Sequence, residues 1–270
     1  MKWSILLFSI CCICFGRDIY ACTLIMGYRT TSRPPYIEAA PNNSGIYNDL
    51  YSLAANKIGC TLEIVRLPKK RILLAILNGE IDFYPGFTFT KPRSEYAFFF
   101  KNGLYTQMVG LSLKDMPEVH SLEDIRGKVF LRPLGGPEVN AQKYGFIVHK
   151  VPELTYDTTF KMLLAGHADF FMDHYVNLKF YLKDHPSKDT MRFHMNCCGE
   201  KEPFLVGFSR KSRHYQEEPN PDFDSSIAIS PNNFPVRLKT DSTAYRFQQM
   251  LAHLEHSGIT DKLSHTYFEN

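Results

Sequence analysis

The feature that most constrains this chain is an alternation of short apolar runs with amphipathic stretches, made twice. Thr23 to Tyr28 reads as a strand, Tyr47 to Ile58 as a helix stopped by Gly59, and Cys60 to Leu67 as a second strand. Ile72 to Leu77 is helical and closed by Asn78-Gly79, and Ile81 to Tyr84 is a third strand. Parallel strands need a crossover long enough to hold a helix, so this βαβαβ order predicts a parallel sheet with helices on its faces. The second half repeats the order with different residues. Leu122 to Ile125 is a short helix, Lys128 to Arg132 a strand, and Gly135-Gly136-Pro137 opens the next helix. Phe146 to Val151 is a strand, Thr158 to Leu164 a helix closed by Gly166, and Ala168 to Met172 a strand.

The expected fold is therefore α/β with two lobes, and 270 residues suffice for both. Gln107 to Leu113 should lead out of lobe one and Phe204 to Ser209 back into it. Two crossings make a hinge with a cleft between the lobes. Lobe one is expected at 22–108 and 207–270, and lobe two at 109–206. Arg213 to Asp241 is polar and carries Pro219, Pro221, Pro231 and Pro235, which reads as a surface excursion within lobe one. Thr243 to His256 is a final amphipathic helix, with Gly258 before a last short one.

Met1-Lys2 followed by the apolar run Trp3 to Phe15 reads as a secretory signal over residues 1–21. The run is short of the ~20 residues of a spanning helix, although an uncleaved anchor is the alternative. Cleavage is expected after Gly16 or Ala21. Ile19-Tyr20-Ala21-Cys22 has the outline of a lipidation box, but its tyrosine and the charges upstream weigh against a lipid on Cys22. Lys+Arg number 31 and Asp+Glu 28, so the chain has neither the basic footprint of a nucleic-acid binder nor a polybasic membrane anchor.

Beyond the signal, Cys22, Cys60, Cys197 and Cys198 remain. Cys22 and Cys60 each stand directly before a β-branched run, Cys-Thr-Leu in both cases. If those strands are parallel neighbours, their first residues lie about 4.8 Å apart, within reach of a disulfide. A Cys22–Cys60 bridge suits an oxidising compartment, and two free buried thiols are the alternative. Cys197-Cys198 lacks a CxxC or histidine context and is expected to be structural or paired elsewhere.

The run from Gly27 through Phe100 resembles the family 3 extracellular solute-binding proteins. The matching pieces are Pro35-Tyr36, Gly45-Ile46-Tyr47-Asn48-Asp49-Leu50, Leu77-Asn78-Gly79-Glu80-Ile81-Asp82 and Thr88-Phe89-Thr90-Lys91-Pro92-Arg93. Leu122 to Lys128, Leu164-Ala165-Gly166-His167-Ala168-Asp169 and Phe247 to Phe268 continue the likeness. The resemblance implies a two-lobed periplasmic-binding-protein-like fold of type II. It also implies a periplasmic, monomeric receptor that captures a small carboxylate-bearing solute, such as an amino acid, for the permease of an ABC importer, without a cofactor.

The resemblance places Arg93 against the ligand's carboxylate, a role that a planar, bidentate guanidinium suits. Thr88 and the backbone of Gly86 would donate to the same oxygens. Gly135 and Gly136 would offer backbone N–H groups from lobe two, or form a plain turn. Asp173 would meet the ligand's ammonium group. Its spacing from Asp169 is one residue short of the family pattern, and His174 occupies the usual place, so a helix cap is the alternative. Tyr36, Tyr47 and Tyr28 are candidate aromatic walls, although Tyr47 reads more readily as core. Arg29, Lys69 and Arg132 would make the cleft unusually positive and favour acidic solutes, unless these chains turn outward to water. His253 and His256 share a helix face but no third ligand is evident, so no metal is expected. Two other readings stay open. One is a dehydratase-like enzyme on this fold, with Asp173 and His174 as its acid and base candidates. The other is a sensory module that reports ligand state to a partner.

Overall fold

The structure, a computed structural model, describes residues 22–134, 139–152 and 154–268. The first half runs β1 (Cys22–Arg29), α1 (Ile46–Lys57), β2 (Cys60–Leu67), α2 (Lys69–Asn78), β3 (Phe83–Pro85) and one helical turn, α3 (Lys91–Ser94). The 17-residue β4 (Ala97–Leu113) leads onward. The second half holds β5 (Val129–Pro133), α4 (Ala141–Tyr144), β6 (Ile147–Val151), α5 (Tyr156–Leu164), β7 (Phe170–His174), α6 (Tyr175–Leu182) and β8 (Met191–His194). β9 (Lys201–Ser209) returns. β10 (Glu217–Pro219) and β11 (Val236–Leu238) form a small antiparallel ribbon, and α7 (Thr243–His256) and α8 (Ile259–Phe268) complete the chain.

The strand order is β2-β1-β3-β9-β4-β7-β5-β6, with β8 also on β4. β1 is parallel to β2 and β3, and β5 is parallel to β6 and β7. β4 and β9 are antiparallel to their neighbours and join the two parallel units. β4 pairs with β9 as far as Gln107 and with β7 from Met108, so one strand serves both sheets. Between Lys101 and Tyr105 its register shifts at a bulge, where Gly103 takes φ 84°. The buried Asn102 holds that bulge: its Nδ2 donates to the Tyr51 hydroxyl at 2.7 Å, and its Oδ1 accepts the Leu104 N–H at 2.9 Å.

Each half has its own apolar core. The larger one gathers Leu24, Met26, Tyr51, Phe83, Phe208 and Phe247, and the second half holds two smaller clusters, around Leu131 and Phe160 and around Phe130 and Phe170. The two Gly-x-x-Asp strings have equivalent jobs in the two halves. Asp82 Oδ2 accepts the Ile25 N–H at 2.7 Å, and Asp169 Oδ2 accepts the Val129 N–H at 2.7 Å. Each aspartate thus pins the entry of one strand to the central strand of its unit.

Cys22 and Cys60 face each other in the β1–β2 register and are bonded, with Cα atoms 4.4 Å apart. Cys197 and Cys198 are bonded to each other, not to a distant partner. The segment 213–241 is more than a surface loop. Tyr215, Phe234 and Leu238 are buried, and Phe98 receives the Tyr215 and Phe234 rings at 6.1 and 5.7 Å. Arg210 clamps its start through two bonds to Glu217, at 2.6 and 3.0 Å. The helix expected to open at 135–137 falls where residues 135–138 lie outside the described residues. The next helix, α4, begins at Ala141 with the Asn140 side chain as its cap.

Candidate ligand site

Ligands of open α/β sheets bind beyond the carboxyl ends of the parallel strands, and the candidate residues converge there. β1 ends at Arg29, and the chain then turns through residues 30–38. Arg66, on neighbouring β2, braces that turn. Its Nη1 donates to the Glu38 carbonyl and to Asn43 Oδ1, each at 3.1 Å, and its Nη2 to the Thr31 carbonyl at 3.2 Å. The same guanidinium lies 5.3 Å from the Tyr28 ring centre.

The braced turn delivers Arg33. Its guanidinium sits 5.0 Å from the Tyr36 ring centre. Burial alone would lower its pKa, but the oxygens of Tyr47, Tyr28 and Tyr36 outweigh it and push it above the ordinary arginine value. Arg33 is therefore a permanent positive charge. Burial likewise raises the Tyr36 and Tyr47 hydroxyls well above the usual phenol range, so both stay protonated. Among the described residues neither hydroxyl has a hydrogen-bond partner, and neither does the buried Arg29 Nε.

Arg93 is set by α3. Thr90 caps that turn by accepting the Arg93 N–H. The Arg93 guanidinium lies 4.6 Å from the Phe87 ring centre, and Nη1 donates to the Thr88 carbonyl at 2.8 Å. Gly86 has φ 66°, and a side chain there would meet the Tyr47 hydroxyl at 3.0 Å. A cavity of about 190 Å³ opens between these groups, and Arg29, Arg33, Lys69, Gly86, Thr88 and Arg93 all line it. A larger cavity of about 600 Å³ shares Arg33, Gly86 and Thr88 and extends to His174 and Glu202. Pro231 and Asn232, from the 213–241 segment, also line it.

In the second half, Asp173 stands at the end of β7. Its Oδ2 accepts from the Tyr156 hydroxyl at 2.6 Å, and its Oδ1 from the His174 N–H at 2.7 Å. Asp173 does not cap α6, whose N-cap position is His174. It lines a cavity of about 490 Å³ with Tyr156, Tyr181 and His185. His174 Nδ1 lies 2.8 Å from Thr106 Oγ1, and burial holds its pKa below the ordinary value, partly offset by Asp173.

The structure thus brings Arg93, Thr88, Gly86, Lys69 and Arg29 together. It sets Tyr36 behind them as the support for Arg33. Asp173 belongs to the other half. Arg132 is buried over the Phe130 ring and lines none of these three cavities. Gly135 and Gly136 lie outside the described residues. Sequence reasoning missed Arg33, Tyr156 and Tyr181. A signal for Arg33 was available, since a second arginine four places beyond Arg29 directly follows the carboxyl end of a parallel strand.

Two α/β lobes sharing a pair of crossing strands, with a polar cleft at their strand ends, define the class of two-lobed solute receptors. The chain belongs to the bacterial extracellular solute-binding proteins, family 3, whose profile matches residues 24–270. Among solved structures it is similar to an ancestral arginine-binding protein bound to arginine, at 20% identity and TM-score 0.57, covering 91% of this chain and 98% of that one. It is also similar to substrate-binding domain 2 of GlnP from Lactococcus lactis in an open conformation, at 16% identity and TM-score 0.61, covering 92% and 96%. A third likeness is an ancestral amino-acid-binding protein described as a precursor of cyclohexadienyl dehydratase, at 18% identity and TM-score 0.56, covering 91% and 95%. No curated protein matches the chain. No helix among the described residues is long and apolar enough to cross a membrane.

Proposed function

We propose that this protein captures a small carboxylate-bearing polar solute, an amino acid or a close relative, between its lobes and delivers it to the permease of an ABC importer. The observation that carries this reading is the Arg93 site. One guanidinium nitrogen is spent on the Thr88 carbonyl and one face on Phe87, which fixes the fork beside Gly86 and Thr88 with its remaining donors available. A fixed guanidinium at the end of a parallel sheet matches a carboxylate in both charge and shape.

In this reading lobe one comprises 22–108 and 207–270 and lobe two 109–206, with β4 and β9 as the hinge. Asp173, held by Tyr156, meets the solute's ammonium group when the lobes close. Residues 1–21 direct export, and the mature receptor works outside the cytoplasm as a monomer. Capture by both lobes links affinity to closure, because full binding energy is reached only in the closed form.

A thermal-shift screen of the mature, ligand-stripped protein tests the reading. A solute at about 100 times its Kd adds about 2.7 kcal/mol of stability. A carboxylated solute should raise the melting temperature, and Arg93→Ala should remove the rise. A rise that survives Arg93→Ala would overturn the role given to Arg93.

One observation favours a second reading, an enzyme on the same fold. Burial holds the His174 pKa below the ordinary value beside Asp173, and the ring borders the larger cavity, where a general base could reach a solute. Turnover of a carboxylated cyclohexadienol that is lost in His174→Gln would establish that reading instead.

A further inference from the structure

The small cavity contains four cations and no anion. Arg29 comes from the end of β1, Arg33 from the braced turn, Lys69 from the start of α2 and Arg93 from α3. No aspartate or glutamate lines the cavity, and none of the four makes an ion pair among the described residues. α2 points its amino end at the same place without an acidic residue in its first turn, so its dipole adds to the positive field. The buried Arg29 Nε, at the cavity, is a donor without an acceptor among the described residues.

A single carboxylate on Arg93 would answer one of these charges and leave three cations lining the same cavity. Like charges gathered around so small a space repel one another, and counter-charge entering with the ligand relieves that repulsion. We infer that Arg29, Arg33 and Lys69 form a second anion subsite beside Arg93, and that the solute brings at least two negative groups to lobe one. The inference rests on the capture reading and narrows it to compact dianions, whose second group is a carboxylate or a phosphate. The amino-group contact at Asp173 is then secondary, since that side chain already accepts two hydrogen bonds within its own half.

Titration calorimetry on the mature chain tests this with probes that differ by one charge: L-glutamate against L-glutamine, and succinate against succinamate. Glycerol 3-phosphate and inorganic phosphate distinguish a phosphate from a carboxylate second group. L-Arginine is the opposite-charge probe. The expected result is that a dianion binds about 30-fold or more tightly than its singly charged or neutral counterpart. Lys69→Met and Arg33→Gln should shrink that ratio several-fold, while Lys70→Met, at an exposed neighbour outside the cavity, leaves it unchanged. Lys69 is exposed, so its variant folds even if Arg33→Gln does not.

Tighter binding of L-glutamine, succinamate or L-arginine, dependent on Arg93, would overturn the second subsite and leave the capture reading standing. A dianion preference that both variants leave intact would also overturn it. Silence from every probe would sink the inference and the capture reading together.

Discussion

Asp82 and Ile25 exchange two hydrogen bonds: the Ile25 N–H donates to Asp82 Oδ2 at 2.7 Å, and the Asp82 N–H donates to the Ile25 carbonyl at 2.9 Å. Asp169 and Val129 repeat the exchange in the other half with the same two distances. Asp82 is buried and also accepts from Ser212 Oγ at 2.5 Å, whereas Asp169 is half-buried. Removing a buried acceptor leaves its donors unsatisfied, so Asp82→Ala should cost about 3 kcal/mol and Asp169→Ala about half of that. Urea unfolding of the two variants checks the order. Equal losses would show that burial does not set the difference.

The Cys22–Cys60 bridge closes a sequence separation of 38 residues. Loop-closure entropy assigns such a link about 4 kcal/mol. Cys22→Ser with Cys60→Ser should therefore lower the melting temperature by about 10 °C. Differential scanning calorimetry under non-reducing conditions reads the loss directly.

His194 gives the stability a pH dependence with a defined sign. The Val119 N–H donates to Nδ1 at 3.0 Å, so the proton sits on Nε2 and is shared with Ser112 Oγ at 2.8 Å. Ser112 in turn donates to the Leu113 carbonyl. Protonating Nδ1 would set N–H against N–H. Burial, then Arg192 and His120, hold the pKa below the ordinary value of 6.5, with Glu118 opposing. The unfolded chain thus binds the extra proton more readily. The contribution is complete above about pH 6.5 and declines as pH falls toward the folded pKa, by at most about 1.4 kcal/mol per pH unit. Unfolding at pH 7.5 and 5.5 should show a steeper loss for the parent than for His194→Asn. His174, shifted the same way, adds a second loss that this variant retains.

Arg66 places Arg33 without facing the cavity. Arg66→Lys keeps the charge but cannot fork to the Glu38, Asn43 and Thr31 oxygens together. We expect about 1–2 kcal/mol of lost stability and a several-fold weaker solute affinity at saturating lobe closure. Rescue of affinity without rescue of stability, on any second change at position 33, would separate the two roles.

Much of the fold was legible because local chemistry and tertiary demand agree. α7 spans Thr243–His256, as its periodicity implied, and Ser242 caps it by accepting the Tyr245 N–H. The Cys22–Cys60 bond followed from one assumption, that two like strands lie parallel, and the β1–β2 register bears this out. What was not legible is non-local. Tyr215 and Phe234 are buried against Phe98, far away in sequence, and no period of 2 or 3.6 announces that. Ile81 and Asp82 read as strand, yet β3 begins at Phe83, because Asp82 spends its backbone and side chain on Ile25. In the site, the Arg93 string was recognisable as a local motif. Arg33 was not, because Ser32-Arg33-Pro34-Pro35 reads as turn chemistry and its partners Tyr28, Tyr36 and Tyr47 converge only in the fold.

The bulge in β4 bears on where the two halves would turn in the proposed closure. Asn102 is tied to Tyr51, and a Cβ on Gly103 would lie 3.1 Å from Glu255 Cβ and 3.3 Å from Thr260, so this stretch is anchored to the body of the first half. Between the bulge and Met108, Tyr105, Thr106 and Gln107 stay paired with β9, and pairing passes to β7 at Met108. If the halves close as proposed, they turn about this crossover, next to Thr106, which holds His174 at the cavity wall. A lever hinged so close to its load sweeps the far end of the second half through a long arc for a small displacement at the solute. In the proposed capture by two lobes, a permease touching the outer rims would read occupancy as an amplified change of angle.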